Sequence, residues 1–219
     1  MQGIFDVGNY NCNRNSNGGS FNIAAGATLR IGVQSHSLQT LAHIILQLTS
    51  TVEYYGNNQT VIETTYGNLT LSSTSGTVTK TMPNTAMVIA GNFTRWLVLE
   101  LVLISTAAAN ITVNKNVTIG ASCTFNASSF NHNFKKDFVN NGTFTGSSST
   151  VTFSGVTSNL SGTGTHNFNN LTFTASDITA NANTTINVAG NLTTTTTWSI
   201  YSYLWWYSYN DWYIQIDTW

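Results

Sequence analysis

Charge is what this sequence has least of. Only 7% of its 219 residues are Asp, Glu, Lys or Arg, against about 25% in an ordinary soluble domain. Seven basic residues scattered along the chain cannot build the phosphate-tracking patch that nucleic-acid binding needs, so no nucleic-acid partner is expected. A net charge of −1 also leaves copies of the chain with little mutual repulsion, which favours an assembly. Cysteine is almost as scarce. Cys12 and Cys123, far apart, make neither a disulfide framework nor a metal motif, and both read as small buried side chains. The single proline, Pro83, suits a corner, and so few prolines fit strands whose backbone N–H groups are all wanted. Long apolar runs are missing too. The longest, Trp96 to Ile104, is interrupted by Glu100 and falls far short of the roughly 20 residues of a membrane helix. Met1-Gln2-Gly3 does not open a basic, then apolar, export signal; a processed or internal piece of a longer exported chain is expected.

Hydrophobic residues nevertheless make up 41% of the chain, enough for a core. They fall in short alternating runs such as Asn110-Ile111-Thr112-Val113, Asn116-Val117-Thr118-Ile119 and Thr150-Val151-Thr152-Phe153. Period two puts Ile111 and Val113 on one face of a strand and Thr112 on the other. Gly- and Asn-bearing turns lie between the runs. Leu38 to Leu48 has some helical character, but its Thr/Ser flanks favour strand. The chain also repeats itself. Tyr66-Gly67-Asn68-Leu69-Thr70-Leu71 returns as Phe168-Asn169-Asn170-Leu171-Thr172-Phe173, 102 residues on. Ser50 to Gly56 returns as Ser149 to Gly155, and Ala90-Gly91-Asn92-Phe93-Thr94 as Ala189-Gly190-Asn191-Leu192-Thr193, both at 99 residues. Long-period similarity with few tight hairpin signals predicts an all-β parallel solenoid, its turns stacked and its corners lined by Asn, Ser and Thr. Two tandem copies of about 100 residues are expected, totalling on the order of ten turns. The predicted interior includes Leu69, Leu71, Val88, Val151, Phe153, Leu171, Phe173 and Val188.

Ala25-Gly26-Ala27-Thr28-Leu29, Ser50-Thr51-Val52-Glu53-Tyr54, Val139-Asn140-Asn141-Gly142-Thr143-Phe144-Thr145 and Phe168 to Phe173, in that order, resemble the repeats of large adhesin-like β-solenoid surface proteins of prokaryotes. The resemblance covers roughly residues 20–94 and 110–195. It implies a right-handed parallel β-helix, an extracellular or cell-surface location, and a structural or adhesive role. It brings no catalytic residue. The expected organisation is an N-terminal segment (1–20), a first copy (21–94), connecting turns (95–116), a second copy (117–195) and an aromatic C-terminal segment (196–219).

That last segment points to function. Solenoids have open ends, and an uncharged aromatic cluster there marks a contact. Tyr201, Tyr203, Trp205, Trp206, Tyr207, Tyr209, Trp212, Tyr213 and Trp219 are the expected interface of a self-assembling fibre, sheath or stalk, with the chain itself as partner. A monomeric stalk stacking those rings on surface glycans is the alternative. A polysaccharide-active enzyme is a third reading, with Glu53 and Glu63 as its carboxylate pair, although Thr152 stands where the second copy should repeat Glu53. No catalytic site, cofactor or metal is expected. His36 and His132 occupy matched positions without other ligands nearby and read as stacking or capping groups, while His43 and His166 read as isolated. Lys135-Lys136-Asp137 reads as a solvated loop. Eleven Asn-x-Ser/Thr sequons, Asn68, Asn92, Asn116, Asn141, Asn170 and Asn191 among them, follow from Asn placed before Thr-rich strands more simply than from glycosylation. Thr-rich faces could order water if Thr recurred at one spot on successive turns, but in the sequence the Thr positions wander.

Overall fold

The computed structural model describes residues 3–10, 20–32, 43–74, 76–96, 102–174, 177–181 and 184–195, with the backbone of 212–215. Its strands form a parallel β-solenoid of about 8 turns, and no described residue is helical. The nine-stranded face stacks β1 (Ile4–Asp6), β3 (Thr28–Ile31), β5 (Thr51–Tyr54), β7 (Asn68–Leu71), β10 (Phe93–Arg95), β13 (Val117–Ile119), β16 (Phe138–Asn140), β19 (Thr157–Ser161) and β22 (Asp177–Ala180). The eight-stranded face runs through β6 (Gln59–Thr60), β8 (Val78–Thr81), β11 (Leu103–Thr106), β14 (Cys123–Asn126), β17 (Thr143–Thr145), β20 (Thr165–Phe168) and β23 (Thr185–Val188), ending on β25 (Trp212–Gln215). The six-stranded face holds β9 (Met87–Ile89), β12 (Ile111–Val113), β15 (Asn131–Phe134), β18 (Thr150–Phe153), β21 (Asn170–Phe173) and β24 (Leu192–Thr194). A short sheet pairs β2 (Ser20–Ile23) with β4 (His43–Leu46), so part of the run with helical character is strand. From β7 to β24 the chain visits the nine-, eight- and six-stranded faces in turn, once per coil.

Alternation does the folding work. Phe93, Val117, Phe138 and Leu160 stand one above another on the inward side of the nine-stranded face, and Phe134, Phe153 and Phe173 do the same on the six-stranded face. Ring centroids in the latter stack are 5.9 and 5.8 Å apart. Burial of each such ring is worth about 1.5–3 kcal/mol. Seven of the eight predicted interior residues are buried, and Val88 is not: it is 40% exposed. Strand β9 is apolar at three consecutive positions, so sequence alone gave no phase; Met87 and Ile89 take the inward places. Coil length varies from 17 residues (Val52 to Leu69) to 24 (Leu69 to Phe93). Pro83 lies on the corner between β8 and β9.

Coils approach each other closely at the corners. A side chain at Gly155 would collide with the Lys135 carbonyl, and Gly162, at φ 111°, presses on the backbone of Asn140. The matched segments of the sequence repeat occupy different faces. Strands β5, β7 and β10, successive on the nine-stranded face, correspond to β18, β21 and β24, successive on the six-stranded face. The 95–116 segment carries β11 and β12, which stand in the same stacks as their neighbours.

Candidate functional site

The charged residues near the N-terminal end form a ladder. Asp6, Arg30 and Glu53 share one outward column. Arg30 donates to Asp6 Oδ2 at 2.9 Å and, from Nε, to Glu53 Oε2 at 2.8 Å. Glu53 Oε1 accepts the Ser72 hydroxyl at 2.7 Å, and Tyr55 donates to Asp6 Oδ1 at 2.9 Å beneath the Arg30 guanidinium. Glu53 is thereby committed to ion pairing, and Glu63 sits exposed on the corner after β6. Exposed ion pairs of this kind contribute about 0–1 kcal/mol each.

Several polar residues point inward, which the alternation of charge and polarity did not announce. Lys80 shares the inward side of β8 with Val78. Its ammonium donates to the carbonyls of Gly56 (2.5 Å) and Asn57 (3.1 Å) and to Gln59 Oε1. Burial lowers its pKa to about 7, partly offset by the Glu53 carboxylate. Arg95 shares the inward side of β10 with Phe93 and is fully buried. One terminal nitrogen donates to the carbonyls of Thr124 (2.6 Å) and Leu103 (3.3 Å), while Nε and Nη1 have no partner. Burial brings its pKa down to about 10, and the same surroundings raise that of the buried Cys123 thiol. The signal available was parity: each stands two residues from a buried apolar neighbour.

His132 is a core residue. Its Nδ1 accepts from the Ile111 N–H at 3.2 Å, so Nε2 carries the proton and donates to the Ala127 carbonyl at 2.8 Å. Its ring lies over Phe134, and burial lowers its pKa. His166 is not isolated either: it packs 5.5 Å from Phe138, with its nitrogens facing the carbonyls of Ser161 and Gly164. His36 and Cys12 lie outside the described residues, and of His43 only the place in β4 is described. Lys135 and Lys136 are exposed, as a solvated loop requires.

Asparagines bridge successive coils. Asn68 Oδ1 accepts from the Asn92 N–H at 2.9 Å, and Asn92 Oδ1 from the Asn116 N–H at 3.2 Å. Asn170 and Asn191 repeat the contact at 2.9 Å. These sequon residues serve the corners of the coil.

The outer surface of the eight-stranded face departs most from expectation. Register places Thr79, Ile104, Thr124, Thr143, Thr165 and Thr185 in one outward column. A second column, two residues along each strand, holds Thr81, Thr106 and Thr145, with Asn126, Asn167 and Asn187 at the remaining coils. The Thr positions therefore do not wander; unequal loops hide their alignment in the sequence.

At the ends, Phe5 belongs to the inward column of Leu29 and Val52 yet is 50% exposed, because no coil among the described residues covers it. At the other end β22 and β24 close their sheets with an unpaired edge among the described residues, whereas β25 pairs antiparallel with β23. Trp212 and Tyr213 fall in β25; Tyr201, Tyr203, Trp205, Trp206, Tyr207, Tyr209 and Trp219 lie outside the described residues. No family model, curated protein or solved structure matches this chain.

Proposed function

We propose that the protein is an extracellular structural subunit that stacks end to end into a fibre, sheath or stalk of adhesive use. The observation that carries this reading is the pair of edges on the nine-stranded face that are open among the described residues. Strand β1 at one end and β22 at the other run parallel to every strand between them. A second copy can therefore set its β1 on β22 and continue the sheet, burying Phe5 as every inner coil buries its counterpart. Unpaired strand edges invite such pairing, and a head-to-tail contact that does not close gives a filament. The near absence of charge supports it, and β25 on β23 brings Trp212 and Tyr213 to the same end. Glycan stacking by that segment is the outcome to look for if assembly fails.

Sedimentation velocity across a concentration series, with electron microscopy of the same samples, tests the reading. Wild type should grow into long rods, and Phe5→Lys should stop growth while keeping its β-sheet circular dichroism. A wild-type protein that stays a monodisperse monomer at every concentration overturns it.

A further inference from the structure

We propose that the outer surface of the eight-stranded face binds the ordered water of an ice surface. Parallel pairing sets successive coils about 4.8 Å apart, and side chains two residues along a strand stand about 6.6 Å apart. The two Thr/Asn columns thus form a near-rectangular grid over six coils from β8 to β23. Ice presents rows of oxygen atoms with similar repeats in two directions. A rigid grid of hydroxyls and methyls can hold water already in that arrangement and merge with the lattice.

Four observations favour this surface over the other two. First, among the described residues the Thr hydroxyls of both columns have no hydrogen-bond partner, so they are available to water. On the six-stranded face, by contrast, the Thr150 hydroxyl accepts from Asn170 Nδ2; in the proposed grid it is the Asn side chains that pair, Asn187 Nδ2 donating to Asn167 Oδ1 and Asn126 Oδ1 accepting from the Ser147 hydroxyl. Second, neither column holds a charged residue, whereas the nine-stranded face carries Asp6, Arg30 and Glu53. A fixed charge orients water radially and opposes a lattice. Third, from β8 to β23 neither column contains an aromatic ring, which sugar stacking would require; Tyr213 of β25 stands opposite Asn187 just beyond them. Fourth, β-branched Thr is stiff at χ1, and the column stands on strands whose inner side is packed with Phe125, Phe144 and Phe168. The grid is preformed, so little ordering is needed on binding. The proposal does not depend on end-to-end assembly, since one subunit carries the whole grid.

Thermal hysteresis and the shape of single ice crystals in dilute protein solution test it. Wild type should facet the crystals and open a measurable gap between melting and freezing. Thr143→Lys combined with Thr165→Lys, at two adjacent grid points, should abolish the gap, while Thr152→Lys on the six-stranded face should keep it; circular dichroism should show all of them folded. Ile104→Thr, which completes the first column, should widen the gap. Round crystals in wild-type solution, or equal activity of the folded double variant and the control, would overturn the proposal.

Discussion

Lys80 and Gln59 meet inside the coil: the Lys80 ammonium donates to Gln59 Oε1, and Gln59 Nε2 donates onward to the Ile31 carbonyl at 2.8 Å. The contact joins the eight-stranded face to the nine-stranded one through the corner that follows Tyr54. It also holds a titratable group where water does not reach, with consequences for pH dependence.

The Lys80 pKa falls from 10.5 to about 7 on folding. Between those values the unfolded chain holds a proton that the folded chain has released, so this residue makes stability rise with pH from about 7 toward 10.5. Below pH 7 the ammonium is carried in both states and the burial penalty is fully present. Urea midpoints measured from pH 6 to 10 should therefore climb. Lys80→Met should lose that slope; a variant that keeps it would assign the rise to another group.

Tyr54 acts in the opposite direction at higher pH. The Tyr66 hydroxyl donates to the Ile62 carbonyl at 2.7 Å, so Tyr54 is the donor in the 3.1 Å contact between the two phenols. Burial pushes the Tyr54 pKa up to about 12. From pH 10 the unfolded phenol ionises while the folded one stays neutral, and stability falls. Tyr54→Phe should weaken that fall, visible as a smaller drop in the urea midpoint between pH 10 and 11.

Arg95 is the least compensated polar group of the interior, with two of its three nitrogens unpaired. Replacing buried charge by an apolar side chain of similar volume is often neutral or stabilising by about 1–4 kcal/mol. Arg95→Met should accordingly unfold at an equal or higher urea concentration at pH 7. A loss of several kcal/mol would mean that the bonds to Thr124 and Leu103 outweigh the burial penalty.

Much of this fold was legible in the sequence because its information is local. Alternation over three or four residues places Ile111, Val113, Val151 and Phe153 inside, and Asn before a strand marks a corner. Two kinds of feature were not legible. Register depends on loop lengths that vary from coil to coil, so the alignment of Thr124, Thr143 and Thr165 becomes visible only once strands are paired. Inward Lys80, Arg95 and His132 are polar by composition and buried by parity, so polarity alone does not show that they face the core. Val88 failed for the converse reason, since a wholly apolar strand carries no phase.

Phe138 is the hub of the aromatic interior. Phe134, Phe144, Phe153, Phe168 and His166 all lie with ring centroids between 5.2 and 6.0 Å of it. Phe138→Ala should cost about 3–5 kcal/mol. Because each coil touches only its neighbours, hydrogen exchange should quicken most in β13, β16 and β19. Val156→Ala, at a position 76% exposed, should stay within about 0.5 kcal/mol of wild type.

Asn68 decides how the sequons are read. Its Nδ2 donates to the Ser50 carbonyl at 3.1 Å and the Thr49 carbonyl at 3.3 Å, while its Oδ1 accepts the Asn92 N–H. A glycan on that nitrogen would displace donors on which the corner depends. Asn68→Ala leaves the Asn92 N–H without its acceptor and should cost about 1–3 kcal/mol. Expression in a glycosylating host should yield folded protein with Asn68 unmodified, as read by intact mass and peptide mapping. A sugar found there on protein as stable as the unmodified form would show that the corner does not need this side chain, and the structural reading of the Asn ladder would fail with it.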